Sequence, residues 1–81
     1  MPSLRKEFGY RLRSIRLQRQ LSQENFAEFV GISVDFLSLI ERGINAPSFE
    51  TIEEMARKLR VPVMELFDFE RQDRPASQRK K

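Results

Sequence analysis

The sequence predicts an all-α fold, a compact bundle of five helices. Apolar residues recur at the three- and four-residue spacing of a helix, and no segment shows the alternation expected of a strand. Ser and Gly residues also stand where such helices would begin and end. The chain has 81 residues, which is the size of one small domain. We expect that domain to span residues 1–70.

The first three helices are predicted to be joined by short turns. The first covers about the first 20 residues of the chain. Ser22 then caps a second helix, which Gly31 closes because glycine readily adopts the left-handed conformation of a helix end. Ser33 caps a third helix, predicted over 34–42, which stops at Gly43. Two helices joined by a tight glycine turn form a helix-turn-helix unit, here about residues 22–42.

Two further helices and a tail complete the predicted architecture. Ser48 caps the fourth helix, over 49–59. Pro62 suits the first turn of a short fifth helix, because the N–H that proline lacks would be unpaired there in any case. The last part of the chain is polar, contains proline and has no helical period. We therefore expect residues 71–81 to form a basic, disordered tail.

The composition argues against an enzyme. The chain has no Cys and no His, so it lacks thiolates, the commonest metal ligand and the commonest general base. Glu53 and Glu54 are neighbours in sequence and would face different directions on a helix, which is typical of a solvated surface. There is no signal-peptide pattern and no run of about 20 apolar residues. We expect a cytoplasmic protein with no cofactor, metal, membrane contact or small-molecule ligand.

The net charge of +3 is distributed unevenly along the chain. Residues 1–20 carry six Arg or Lys and one Glu, and residues 71–81 carry five Arg or Lys and one Asp, whereas the middle is net acidic. A polyanion would be attracted to the two basic regions, with Arg11 and Arg13 adding to the field of the first helix. The alternative is an ordinary solvated helix face and a solvated chain end.

Several separated motifs resemble one known family. FGYRLRSIR, LSQENFAEFVGIS, LIERG and PSFETIEEMARKLRVPVMELF follow one another over residues 8–67. In this order and spacing they resemble the XRE family of Cro and phage-repressor type helix-turn-helix proteins and, less specifically, the small controller proteins of restriction–modification systems. The resemblance implies a lambda-repressor-like domain that binds double-stranded DNA sequence-specifically as a transcriptional regulator. It also implies a homodimer on a two-fold symmetric operator.

The resemblance further implies contacts to the DNA backbone. Arg16 and Glu41 match a buried ion pair, which could be purely structural or could leave N–H groups for a phosphate. Gln23 matches a phosphate-binding position at the first turn of the second helix, where backbone N–H groups and the positive end of the helix dipole favour an anion. An ordinary exposed glutamine is the alternative. Arg42 and Asn45 would add further phosphate contacts.

The same resemblance puts the third helix in the major groove. The base-facing positions are then Ser33, Val34, Asp35, Ser38 and Leu39. None of these side chains can form the bidentate Arg–guanine or Gln–adenine pairs that read DNA most strongly. Apolar side chains could touch only a thymine methyl, Asp35 could accept from a cytosine amino group, and the serines could bind a base or a phosphate.

Two interpretations of the third helix therefore remain open. It could be a DNA reader with few base contacts, which depends on phosphate contacts, DNA shape and dimerisation. Alternatively, the helix-turn-helix could be a protein-binding module, as in an antitoxin or a phage regulatory partner, with weak non-specific DNA binding. In that case Phe29, Val34 and Leu39 would form an exposed apolar patch.

The fifth helix is the candidate dimer interface. The residues expected there are Val63, Met64, Phe67 and Phe69. Phe67 could instead complete the core of one protomer, whereas Leu66 is expected in the core.

Overall fold

The computed structural model of the protein describes residues 3–71, and in this part of the chain it contains helices and no strand. The α-helices are α1 (Leu4–Gln18), α2 (Gln23–Val30), α3 (Val34–Glu41) and α4 (Phe49–Leu59), and two short 3-10 helices follow, Val63–Phe67 and Phe69–Arg71. The predicted all-α class is confirmed. Most of the predicted basic tail lies outside the described residues. Within residues 3–71, no helix is long and apolar enough to cross a membrane.

Each α-helix begins after a serine. The side chains of Ser3, Ser22, Ser33 and Ser48 each accept a hydrogen bond from the backbone N–H three residues further on. Such a cap contributes about 1 kcal/mol, because it satisfies an N–H that has no partner within the helix. Gly31 ends α2 with a φ of 89°, in the left-handed region. The predicted turn between the two motif helices is confirmed, and α1 and α3 end one or two residues earlier than predicted.

The segment after α4 differs from the predicted fifth α-helix. It forms the five-residue 3-10 helix Val63–Phe67, and its N-cap Pro62 has no side-chain hydrogen bond to the helix. Five residues provide too few hydrogen bonds to offset the cost of nucleating an α-helix. Leu66 is nevertheless fully buried, as expected. The segment therefore closes the core without being a regular α-helix.

The core is built from one face of every α-helix and from the first 3-10 helix. Its largest fully buried side chains are Phe26, Leu12, Leu37, Ile40, Met55, Leu59, Leu66 and Val30. The helix-turn-helix therefore shares its core with α1 and α4, which fixes the outward faces of α2 and α3.

The close approach of α1 to α3 depends on Gly9. A Cβ atom on this residue would lie 2.3 Å from the backbone oxygen of Ile40 and 3.0 Å from that of Glu41. Since the neighbouring atoms belong to the backbone, only glycine fits at this crossing without moving a helix. Gly9 thus sets the depth at which α3 is seated on the domain.

Candidate nucleic-acid interface

The outer face of α3 carries a small group of polar and half-buried side chains. Leu37 and Ile40 are fully buried and anchor the inner face. Asp35, Ser38, Leu39 and Arg42 occupy the opposite face, where Asp35 and Arg42 are exposed and the other two are half-buried. These four predicted DNA-contacting residues therefore lie on one side of the helix, at the helical spacing that a groove-facing surface requires.

The two predicted base-facing residues at the start of α3 have additional structural roles. The Ser33 hydroxyl oxygen accepts from the backbone N–H of Phe36 at 3.0 Å, which leaves its own O–H able to donate elsewhere. Val34 is half-buried and packs against the core. Ser33 is therefore both a helix cap and an exposed donor, whereas Val34 offers only part of its side chain to a partner.

Arg16 and Glu41 form a nearly enclosed ion pair between α1 and α3. Arg16 Nε donates to Glu41 Oε2 at 2.7 Å, and Arg16 Nη2 donates to Glu41 Oε1 at 3.0 Å. The side chains are only 10% and 3% exposed, respectively. A third N–H, on Arg16 Nη1, donates to the backbone oxygen of Leu21 at 3.0 Å. The geometry thus commits three of the five guanidinium N–H groups to the protein itself.

Gln23 joins this ion pair from the first residue of α2. Its Nε2 donates to Glu41 Oε1 at 3.0 Å, and the residue is half-buried rather than fully exposed. The side chain at the predicted phosphate-binding position is therefore held against α3. Glu24, in the same first helical turn, is exposed and acidic, which opposes an approaching phosphate.

The loop after α3 is held in place by its backbone. The N–H groups of Ile44 and Asn45 both donate to the carbonyl oxygen of Leu39, at 2.9 and 3.3 Å. Gly43 permits this turn with a φ of 76°. These two N–H groups are therefore used inside the protein, and the exposed Asn45 side chain is the group that this position offers to a phosphate.

The first turn of α1 supplies two cations, Arg5 and Lys6, that none of the sequence motifs indicates. Arg5 Nη1 donates to the Ile44 carbonyl oxygen at 3.3 Å, so this exposed side chain reaches the loop that follows α3. The exposed Lys6 packs beside Gly43 in the same loop. These contacts span 39 and 37 positions of sequence, respectively, and no local pattern in the sequence indicates them.

The expectation that Arg11 adds to a surface field is wrong. Arg11 is only 4% exposed. Its Nε donates to the Glu65 carbonyl oxygen at 2.7 Å, and its Nη2 lies 3.1 Å from Glu65 Oε1. The residue lies on the inner face of α1, three positions after Phe8 and four before Ile15. This helical spacing could have predicted that Arg11 is buried. Arg13, by contrast, is exposed.

The four candidate interface residues after α4 fall into two pairs. Val63 and Met64 are exposed, Met64 by 75%. Phe67 and Phe69 are half-buried and their ring centroids lie 6.1 Å apart, while the Phe67 centroid also lies 5.1 Å from that of the core residue Phe8. Phe67 thus packs onto the core of its own protomer, and the freest apolar surface of the segment belongs to Val63 and Met64.

The apolar patch considered for a protein partner is small. Phe29 is 44% exposed on α2. Val34 and Leu39 are each half-buried, and Val34 packs against the core. Phe29 is therefore the most exposed of the three side chains, and Val34 and Leu39 each add only part of their apolar surface to the patch.

Comparison with known families and proteins agrees with this geometry. The family model "Helix-turn-helix" matches residues 12–66. The chain is 34% identical over 59 residues to the cryptic phage CTXphi transcriptional repressor RstR of Vibrio cholerae, covering 73% of this chain and 53% of that protein. It is 35% identical over 68 residues to the control protein C.BamHI of Bacillus amyloliquefaciens, covering 83% and 84%. The chain thus spans about half the length of RstR but most of the length of C.BamHI.

Solved structures give the same result. The restriction–modification controller protein C.AhdI from Aeromonas hydrophila superimposes with a TM-score of 0.73 at 35% identity, over 78% of this chain and 96% of that one. The clp gene regulator ClgR from C. glutamicum superimposes with a TM-score of 0.76 at 29% identity, over 85% and 90%. Both the sequence motifs and the fold therefore match one group of proteins. The chain belongs to the helix-turn-helix family, in its XRE (Cro and phage-repressor) type.

Proposed function

We propose that the chain is a sequence-specific DNA-binding transcriptional regulator that lays the outer face of α3 in the major groove. The observation that carries this proposal is the common outward orientation of Asp35, Ser38, Leu39 and Arg42 on a helix whose inner face is locked into the core. A rigid helix with one free face is what groove insertion requires. The relatives named as a transcriptional repressor and as control proteins support the regulatory role.

Base recognition by this face depends on a few modest contacts. Leu39 would contact a thymine methyl, Asp35 would accept from a cytosine amino group, and Ser33 and Ser38 would donate to a base or a phosphate. None of these four side chains can form a bidentate pair with guanine or adenine, and Arg42, at the end of α3, is assigned to the DNA backbone. Part of the sequence preference would therefore come from the shape and stiffness of the DNA.

Contacts to the backbone would provide most of the affinity. Arg42 stands at the end of α3, and Arg5 and Lys6 stand beside the loop that follows it. Three phosphates neutralised per protomer would give a log–log salt slope of about −2.7 per protomer. Gln23 and Asn45 would add uncharged phosphate contacts, while Arg16, enclosed by Glu41, would act by holding the helices together.

A homodimer would double this surface. Val63 and Met64 offer exposed apolar area on the first 3-10 helix, on a segment that its own Phe67 anchors to the core. Two protomers related by a two-fold axis would present their α3 helices to successive major grooves about 34 Å apart. Such a regulator would work in the cytoplasm, where it meets bacterial or phage DNA.

The proposal is tested by selecting from a pool of randomised duplexes at two salt concentrations and sequencing the retained DNA. A two-fold symmetric motif with half-sites about ten base pairs apart is the expected result. Retention without a motif, lost at moderate salt, would overturn sequence-specific reading. In that case α3 would be tested as a protein-binding surface, with Phe29 and Leu39 as the first residues to change.

A further inference from the structure

One buried carboxylate connects three helices next to the proposed DNA contact. Glu41 Oε1 accepts from Arg16 Nη2 and from Gln23 Nε2, each at 3.0 Å, and Oε2 accepts from Arg16 Nε at 2.7 Å. The Glu41 side chain is only 3% exposed. It therefore cannot touch DNA itself, and any effect it has on binding must pass through its partners.

These partners hold the start of α2 on both sides of its cap. Before the cap, Arg16 Nη1 donates to the Leu21 carbonyl oxygen at 3.0 Å, and the Leu21 N–H donates to the Arg16 carbonyl oxygen at 3.2 Å. After the cap, Gln23 is held directly by Glu41. Ser22 lies between these two contacts. The position of the α2 N-terminus relative to α3 is thus set by Glu41, directly and through Arg16.

The contact with Glu41 also decides which way the Gln23 amide faces. An ionised carboxylate can only accept hydrogen bonds, so the amide must turn its nitrogen, and not its oxygen, towards Glu41. One of the two hydrogens on Nε2 is used in this contact, and the other can donate to a second acceptor. Without the carboxylate, the amide could rotate by half a turn and present its oxygen, which would repel a phosphate oxygen.

We infer that Glu41 is a positioning residue for DNA binding: it holds the Gln23 amide with its nitrogen in place and keeps the α2 N-terminus aligned with α3, so that both meet the same DNA backbone. This inference rests on the proposed DNA-binding function. It assigns Glu41 a second role beside the neutralisation of Arg16. A purely structural ion pair would affect stability and leave the Gln23 contact independent of Glu41.

A double-mutant cycle on the operator selected above separates the two roles. Gln23→Met keeps the length of the side chain, leaves the Arg16–Glu41 pair intact and removes one hydrogen bond to a charged phosphate per protomer, so binding should weaken roughly tenfold for each half-site. The salt slope should not change, because no charge is lost. Gln18→Met, at an exposed position near the end of α1, is the matched control and should bind like the wild type.

The second arm of the cycle is Glu41→Gln, which keeps the side-chain shape and allows the Gln23 amide to turn. We expect it to weaken binding at a temperature where circular dichroism shows it folded, and Gln23→Met to cause little further loss in that background. If the two losses multiply instead, Gln23 acts independently of Glu41 and the inference is wrong. If the wild type itself selects no operator, the proposed function fails rather than this inference.

A measurement on the wild type covers the case in which Glu41→Gln does not fold. The side-chain NH₂ signals of Gln23, assigned by their loss in Gln23→Met, should be well dispersed in the free protein and should shift when the operator is added. Signals at the positions of a freely exposed glutamine, or signals that operator DNA leaves unchanged, would overturn the inference.

Discussion

Replacing Gly9 by Ala tests how α3 is seated on the domain. The added Cβ would lie 2.3 Å from the Ile40 carbonyl oxygen, whereas ordinary van der Waals contact begins at 3.4 Å. The obstacle is backbone, so no flexible side chain can turn away. The two helices must separate by about 1 Å, since dispersion contacts become repulsive well before such an overlap is reached.

The expected magnitude follows from two opposing effects. Overpacking of a core contact costs about 1–3 kcal/mol, and the rigid neighbour argues for the upper end of that range. Alanine in place of glycine stabilises a helix by about 1 kcal/mol, because of its higher helix propensity. We expect a net loss of about 2 kcal/mol, and a fall in Tm of about 8–16 °C for a domain of this size. Movement of α3 would also displace Glu41 and weaken DNA binding.

Thermal and urea unfolding followed by circular dichroism measure this loss. Gly31→Ala is the matched control: its φ is 89°, and an added Cβ would meet no atom within 4 Å. That change adds only backbone strain, about 1 kcal/mol. Gly9→Ala must therefore be the less stable of the two variants. If it were as stable as the wild type, α1 and α3 would not cross as closely as described.

Four further changes test the surface and the ion pair. Arg16→Ala leaves Glu41 buried without its cation, so it should lower stability by about 3–5 kcal/mol and weaken DNA binding; unchanged urea unfolding and unchanged binding would refute the paired role. Asp35→Ala should change stability by no more than about 0.5 kcal/mol but alter the selected DNA motif, and an unaltered motif would exclude base reading by Asp35. Met64→Glu should yield a folded monomer in sedimentation, where a persistent dimer would move the interface elsewhere. Arg42→Ala should reduce the log–log salt slope by about 0.9 per protomer, and an unchanged slope would remove Arg42 from the phosphate contacts.

Features that depend on local chemistry could be predicted from the sequence. The Ser22 cap, the Gly31 turn and the Ser33 cap are each determined by residues within a few positions, and these positions fix the helix-turn-helix. The outward face of α3 followed from the apolar spacing of Leu37 and Ile40. The type of the predicted fifth helix could not be predicted in this way. The apolar pair Leu66 and Phe67, with Pro62 before it, suits a 3-10 helix as well as an α-helix.

Features that depend on partners distant in sequence could not be predicted from local patterns. Gln23 and Glu41 are 18 positions apart, and nothing near either residue indicates that the amide faces the carboxylate. Arg5 reaches a carbonyl 39 positions away. Gly9 gave a weak signal, since a glycine inside an apolar helix often marks close packing, but the helix that it meets could not be named. Tertiary geometry, and not residue type, assigns these roles.

The four serine caps have a consequence for how the chain reaches its fold. Each helix start is specified by a hydrogen bond spanning three residues, and the helices of the motif are joined by very short turns. These local signals limit the conformations that each segment explores, and small helical domains rich in local contacts fold in microseconds to milliseconds. The packing of α1 onto α3 at Gly9 is the contact that such local signals do not specify. Since α2 and α3 have eight residues each and share their core with α1 and α4, they become stable helices only when the whole domain packs together.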